Sequence, residues 1–237
     1  MADETYVGKG KVYLDGRYLG NVSKLTFGVT EEDKELPDST SAGGGLYNSY
    51  SRVTAMEMAM VAHDFNADNL AMALYGDTAA VTAGAVTDEA QTTPSDVSTD
   101  VFMPTDELID TTVAVNITGY VENTDYRAES GGIVVLAAGS IPASTALAIS
   151  YTKLATDVVR ALTQSAQEYE LVFVGLNEAQ GGKAVRVRVH RAKFGATSEL
   201  SLIGDEFGEI SLGGKVLKDT SIASPESQYV EIKKAAA

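Results

Sequence analysis

Apolar and polar residues alternate along most of this chain, and an alternation with a period of two is typical of β-strands. Two short apolar-rich runs at residues 12–14 and 17–19 flank Asp15 and Gly16. This dipeptide accepts the positive φ angles of a two-residue type I′ turn, so the segment is predicted to form a β-hairpin. A further strand is predicted over residues 23–29.

The alternation stops over residues 30–52, which combine a charged run, a proline and three consecutive glycines. We expect a long irregular stretch here, although loops above about 12–15 residues are uncommon inside compact domains. Two interpretations stay open: a mobile surface loop, or an arm that becomes ordered only against a partner subunit. On the second interpretation, the residues expected at the inter-subunit contact are Glu31, Glu32, Leu36, Pro37, Leu46, Tyr47 and Tyr50.

Residues 53–61 alternate again and are predicted to form a strand that carries three methionines on one face. Flexible thioethers fill gaps in protein cores, so this stripe is interpreted as core and not as a cofactor contact. A short helix follows over residues 67–74, where apolar residues recur with helical spacing. Asn66 is predicted to cap the start of this helix, and Gly76 is predicted to end it at the C′ position.

The last third of the chain returns to strand patterns, with a Gly-Gly turn at residues 181–182. Residues 233–237 carry no readable pattern. Strands are predicted over residues 169–174, 184–194, 199–203 and 207–217. With one helix and many strands, the fold is expected to be mainly β, either a sandwich or a barrel.

Charge and composition change twice along the chain, which indicates two domains. Residues 82–154 carry ten acidic and two basic side chains, and they open with small residues followed by a run rich in Thr, Asp and Ser. We therefore interpret residues 82–154 as an inserted β domain. Residues 1–81 and 155–237 are then the two parts of one discontinuous core domain.

Few side chains are available for chemistry. The chain has no cysteine and two histidines, which excludes thiolate metal sites and cysteine nucleophiles and leaves little for imidazole sites. His63 and Asp64 are adjacent, but a turn between strand and helix accounts for them, and no G-x-S-x-G motif is present. We predict no catalytic, cofactor or metal site, and we do not expect an enzyme.

The net charge of -15 weighs against nucleic-acid binding, which depends on cationic groups that meet phosphates. The basic face at Arg186, Arg188 and His190 is expected to pair with acidic residues across a strand pair or a subunit boundary. The acidic stretches at residues 31–38 and 96–110 lack the spacing of an EF-hand calcium loop. No stretch approaches the roughly 18 apolar residues of a membrane-spanning helix.

Several stretches, taken in their order along the chain, resemble the tail tube (major tail) proteins of long-tailed bacteriophages. In the core domain these are GKGKVYL at 8–14, RYLGN at 17–21, NLAMALYG at 69–76, RVRVHRAKF at 186–194 and LSLIGDEF at 200–207. A second series looks like the small β domain inserted in some of these tube proteins. It consists of NTDY at 123–126, GGIVVL at 131–136, GSI at 139–141 and LAISY at 147–151.

The resemblance implies a structural virion protein that forms six-subunit rings, which stack into a hollow phage tail tube for the delivery of DNA. It implies a tail-tube-type β-sandwich or barrel with one short flanking α-helix, and a small inserted β-sandwich on the outside of the tube. It also implies a long loop that reaches a neighbouring subunit, which would correspond to residues 30–52.

The implied partners are further copies of the chain and other tail proteins at the tube ends, while DNA passes through without specific binding and no membrane takes part. The implied location is the virion tail, after assembly in the host cytoplasm.

Two other classes of protein stay open. One is a virion- or cell-surface binding module, for decoration or adhesion, in which the inserted domain recognises a glycan or a protein. The other is a glycan hydrolase on a β scaffold, which would need two carboxylates roughly 5–10 Å apart. Ring-forming oligomers would favour the tube subunit, stabilisation by a ligand would favour the binding module, and turnover would favour the enzyme.

Overall fold

A computed structural model describes residues 5–40 and 42–236 of the chain. Strands make up 52% and helix 4% of the structure, which confirms a mainly β fold. The strands, in chain order, are β1 (Gly8–Leu14), β2 (Arg17–Tyr18), β3 (Val22–Pro37), β4 (Leu46–Ala62), β5 (Asp77–Val81), β6 (Gly84–Thr92), β7 (Val101–Pro104), β8 (Asn116–Ile117), β9 (Tyr126–Glu129), β10 (Gly132–Val135), β11 (Ala146–Lys153), β12 (Thr156–Arg160), β13 (Glu168–Asn177), β14 (Lys183–Phe194), β15 (Ile210–Val216) and β16 (Val230–Lys234). The described residues also form one α-helix, α1 (Ala67–Ala73), and a 3₁₀ turn at Glu178–Gln180.

The chain folds into two compact units. The core unit contains the described residues up to Asp77 and those from Val159 onward, whereas Thr78–Val158 form the inserted unit. The chain leaves the core unit in β5 and returns in β12, and these two strands pair as a separate two-stranded sheet. The insert predicted over residues 82–154 lies within the inserted unit.

One large antiparallel sheet builds the core unit, with the strand order β2-β1-β13-β14-β15-β4-β3. Asp15 and Gly16 join β1 to β2 with φ angles of 47° and 80°, which confirms the predicted turn. Strand β14 pairs with β13 along one edge, and along the other edge with β16 and then with β15. Met58 and Met60 are buried beside Leu171 in the core, as the methionine pattern predicts.

Helix α1 packs its apolar side onto this core, and its ends are held differently. The Asn66 side chain accepts a hydrogen bond of 2.9 Å from a backbone N–H of the first turn, which confirms the predicted N-cap. The C′ prediction for Gly76 is wrong, because Tyr75 takes the left-handed conformation with a φ of 50°. Gly76 is needed for close packing instead, since a Cβ there would lie 2.4 Å from the Arg160 carbonyl oxygen.

The inserted unit consists of two three-stranded antiparallel sheets with the orders β7-β10-β9 and β6-β11-β8. Buried aliphatic side chains such as Ile133 and Ile149 form the core that these sheets share. Tyr126 is buried with them, and its hydroxyl donates a hydrogen bond of 2.7 Å to the Val115 carbonyl oxygen. The inserted unit is therefore a small β-sandwich.

The irregular stretch predicted over residues 30–52 is wrong. Strand β3 continues to Pro37 and β4 begins at Leu46, and the two strands pair as a ladder as far as the turn at residues 38–45. The prediction failed because these residues alternate only weakly, since neither face of the ladder is buried in the core.

Two further predictions near the C-terminus also differ from the structure. Residues 199–203 form no strand, because Leu202 and Ile203 face solvent and Leu200 makes only an isolated bridge to Ile210. The strand predicted over residues 207–217 begins at Ile210. Residues 230–234, part of which carried no readable pattern, form β16 because β14 offers them a free edge.

Candidate assembly surface

The hairpin of β3 and β4 extends well beyond the sheet that carries it. Strand β4 pairs with β15 only between Ala62 and Glu57, and beyond that point β3 and β4 pair, within the described residues, only with each other. All residues of the strand segments 28–37 and 46–54 are exposed. We call residues 28–54 the hairpin arm. At about 3.4 Å per residue, its strands reach about 30 Å.

All seven residues expected at an inter-subunit contact lie on the hairpin arm, but they do not share one face. Cross-strand partners point to the same side of a ladder, and successive residues point to opposite sides. The register therefore places Glu32, Leu36 and Tyr50 on one face, and Glu31 with Val53 on the other. A partner that contacts only one face of the arm cannot reach all of these side chains.

The remaining three residues of the set lie at the turn end of the arm. Pro37 lies opposite Leu46, where the register shifts by one residue, and Tyr47 follows directly. The turn is closed by a hydrogen bond of 2.8 Å from the Asp38 N–H to the Gly45 carbonyl oxygen. The exposed tip therefore carries both apolar and aromatic side chains.

Sequence reasoning missed two apolar residues of the arm, Val29 and Val53, which are both exposed. Val29 lies two residues before the charged run at residues 31–35, and Val53 lies opposite Glu31, the first residue of that run. The available signal was the type of these two residues, because β-branched residues favour strands even where neither face of the strand is buried.

The arm is held together mainly by its backbone ladder. Its side-chain contacts include an exposed ion pair of 3.2 Å between Arg52 and Glu32, and a hydrogen bond of 2.5 Å from the Ser51 hydroxyl to Asp33. Exposed ion pairs contribute only about 0–1 kcal/mol. Because an isolated two-stranded hairpin is marginally stable in water, we expect the arm to gain most of its order from a partner.

Two edges of the large sheet have no strand beside them among the described residues. Strand β3 pairs only with β4, so one edge of its sixteen residues is free. Strand β1 is covered by β2 at Tyr13 and Leu14, and the Val12 carbonyl oxygen accepts a hydrogen bond of 3.1 Å from the Leu19 N–H, which leaves the edge from Gly8 to Lys11 free. Unpaired N–H and C=O groups of this kind are a template for pairing with another chain.

The basic face of β14 is neutralised within the chain. Arg188 forms a very short ion pair with Glu170 on β13, and Arg186 contacts Glu231 on β16 at 3.4 Å. Arg191 is also paired, with a carboxylate of β13 at 2.6 Å. The predicted pairing with acidic residues of neighbouring strands is confirmed for Arg186 and Arg188.

In the inserted unit, a carboxylate and a phenol that share a hydrogen bond shift each other's pKa. The Tyr151 hydroxyl donates a hydrogen bond of 2.5 Å to Glu89. Burial, together with this bond to a carboxylate, raises the pKa of Tyr151 to about 12. Burial alone would raise the pKa of Glu89, but hydrogen bonds from Tyr151, Gln91 and the Asp106 N–H outweigh it and lower that pKa. The pair joins β6 to β11, and the N–H groups of Asp106 and Glu107 donate hydrogen bonds to it, which fixes their loop to these two strands.

The other candidate sites from the sequence carry structural contacts. His63 Nδ1 lies 3.3 Å from the Gly208 carbonyl oxygen, and Asp64 accepts a hydrogen bond of 3.0 Å from the Asn21 N–H. Among the described residues, no group of three or more His, Cys, Asp or Glu side chains is arranged to hold a metal ion. Within residues 5–40 and 42–236, no helix is both long enough and apolar enough to cross a membrane.

The fold and its surface thus define a mainly β protein of two units, in which the larger unit carries an exposed arm and free sheet edges. The chain belongs to the family described as Protein of unknown function UCP028589, whose pattern it matches over residues 5–233. No curated protein matches the chain.

Proposed function

We propose that this protein is the structural subunit of a hollow tube, in which copies form six-membered rings and the rings stack. The resemblance of its sequence to phage tail tube proteins suggests this function, in which the tube belongs to a virion tail and conducts DNA. The hairpin arm is the observation that carries the proposal, because it extends beyond the sheet as a ladder whose two faces are both exposed.

The distribution of apolar residues on the arm favours a partner that encloses it. Leu36 and Tyr50 lie on one face and Val53 lies on the other, while Leu46 lies beside the turn. Contacts on both faces are expected if the arm inserts between neighbouring subunits. A single flat ligand surface would leave one face exposed.

The free sheet edges support association of copies in a head-to-tail manner. The exposed edges belong to β1 and β3, which are different strands, so pairing of one with the other in a second copy is heterologous. Heterologous contacts give rings where the rotation closes and filaments where it does not. A stacked tube needs one contact of each kind, and the arm and the edges supply two separate surfaces.

Negative-stain electron microscopy of the purified full chain over a concentration series tests the proposal. We expect rings or tubes with a central hole wide enough for a DNA duplex. A variant in which residues 33–51 are replaced by Asn-Gly joins the register partners Glu32 and Arg52 by a two-residue turn. This variant should keep its melting temperature, because the removed residues lie outside the core, and it should fail to form tubes.

Monomers of the natural chain at every concentration would refute the tube proposal. Tubes of unchanged length from the shortened-arm variant would show that the arm is not the stacking element. A ligand-dependent rise in melting temperature without rings would favour the binding module instead.

A further inference from the structure

The loop at residues 201–209 exposes three large apolar side chains. Leu202, Ile203 and Phe207 are 80%, 96% and 91% exposed. The base of the loop is fixed, because Leu200 bridges to Ile210 and the Gly208 carbonyl lies against His63. We call residues 201–209 the apolar loop.

The apolar loop is also acidic. Asp205 and Glu206 separate its apolar side chains, Glu209 closes it, and no basic residue lies within it. A short segment that exposes three large apolar residues between carboxylates is costly to leave in water, and such patches mark interaction sites. Its partner should therefore offer an apolar cavity with a positive rim.

The core unit contains a groove of about 950 Å³ with these properties. Its walls come from β1 and from the start of β3, which are the two terminal long strands of the sheet, and its floor includes Phe173 and Val187. The residues that line it include four lysines and no Asp or Glu, although the chain as a whole is strongly acidic. The volume falls within the range of about 300–1,000 Å³ that encloses a drug-sized molecule, so it has room for several side chains.

The rim lysines are Lys9, Lys24, Lys183 and Lys234. Lys9 pairs with Glu178 at 3.1 Å, whereas Lys24 and Lys183 form no ion pair in the described part of the chain. These two cations are therefore available to carboxylates that arrive from another molecule.

We propose that the apolar loop of one copy docks in this groove of a second copy, with Asp205 and Glu206 facing Lys24 and Lys183. The loop does not occupy the groove of its own chain, since its apolar side chains are exposed. A patch and a complementary cavity at different places on one molecule make a heterologous contact, which propagates from copy to copy. This inference rests on the self-association proposed above, but on neither the hairpin arm nor the ring geometry.

A charge-swap series on the full chain tests the pairing. We expect the variants D205K/E206K and K24E/K183E each to raise the concentration needed for association about tenfold or more, because like charges then meet across the contact. The combined four-residue variant should return to within threefold of the natural chain. The matched control for D205K/E206K is D96K/D100K in the inserted unit, which changes the net charge by the same amount and should leave association within threefold.

The absence of natural cysteine allows a second, direct test. The variants I203C and K183C, mixed and then mildly oxidised, should form a disulfide-linked dimer of about twice 24.9 kDa on a non-reducing gel. A mixture of I203C with V121C, an exposed position of the inserted unit, is the control and should stay monomeric. Melting temperatures of all variants, measured before oxidation, show that each is folded.

The outcomes separate this inference from the proposed function. If the natural chain associates but the four-residue variant shows no recovery and the I203C and K183C mixture gives no dimer, the docking is refuted while self-assembly stands. A cross-link that forms only within single chains of the double variant I203C/K183C would also refute it. If the natural chain does not associate at all, both proposals fail.

Discussion

Replacing Leu36 and Leu46 by serine tests whether the hairpin arm is buried on assembly. The two leucines lie near the turn of the arm, where they are 55% and 57% exposed in the single chain. Complete burial of a leucine side chain stabilises by about 1.5–3 kcal/mol relative to exposure, so about half of this amount, roughly 0.8–1.7 kcal/mol per residue, is left to be gained from a partner.

The two substitutions together should therefore weaken the contact by roughly 2–3 kcal/mol. Since about 1.4 kcal/mol corresponds to a factor of ten, the critical concentration for assembly should rise roughly 30–140-fold. The folded subunit should be almost unaffected, because exposed substitutions away from special features usually change stability by less than about 0.5 kcal/mol.

Pelleting of assemblies by ultracentrifugation over a concentration series measures this change, because the protein left in the supernatant reports the critical concentration. The matched control is L108S/V121S, which removes two exposed apolar side chains from the inserted unit. We expect less than a threefold change for the control. If the arm variant and the control give the same critical concentration, the arm is not buried on assembly and the reasoning from its exposure is refuted.

Three other measurements test the hairpin arm and the folded subunit. Backbone amides of the hairpin arm should exchange with deuterium at least about tenfold more slowly in assemblies than in the free subunit, because a lone two-stranded hairpin is marginally stable; equal protection in both states would contradict this. L171A should lower the free energy of unfolding by about 2–5 kcal/mol in urea titration, because Leu171 is fully buried. L176A, at a partly exposed position of the same strand, should lower it far less. Similar losses for the two variants would contradict the assigned core. Y151F should cost about 1.5–3 kcal/mol at neutral pH by removing the hydrogen bond to Glu89. Because the folded pKa of Tyr151 is about 12, above its ordinary value of 10, its contribution to the free energy of unfolding is complete below pH 10 and is lost as the pH rises towards 12. Calorimetry should show this loss in the natural chain but not in Y151F. Parallel pH profiles of the two proteins would refute the assignment.

Features with a local physical cause could be predicted from the sequence. The turn at Asp15 and Gly16 needs only two residues that tolerate positive φ, and the start of α1 needs only the side chain of Asn66. The methionine stripe of β4 was also readable, because burial on one side imposes a period of two. In each case, the determining interaction lies within a few residues or on one buried face.

The hairpin arm could not be predicted as a ladder, because the interaction that determines its pairing lies outside the arm. Neither of its faces is buried, so residues 31–35 are charged on both sides and no alternation marks them as a strand. The pairing is imposed from outside the segment, because the ladder that begins at Val22 and Ala62 in the sheet continues outward, through three shifts of register, to residues 37 and 46. The prediction for residues 199–203 failed in the opposite sense, since an apolar pattern was present but, in the part of the chain that the structure describes, only an isolated bridge from Leu200 to Ile210 pairs with it.

The two failures have a common physical origin. Hydrophobic periodicity reports burial in the final assembled state, whereas a single chain supplies only the partners that it contains. Leu202 and Ile203 look like a buried strand because they are apolar, and the structure leaves them in solvent. On the proposed self-association, exposed apolar residues of this kind are expected where another copy completes the surface. The lysine-rimmed groove agrees with this interpretation, because its lining holds lysines and no carboxylate, whereas the apolar loop is acidic and the chain has a net charge of -15.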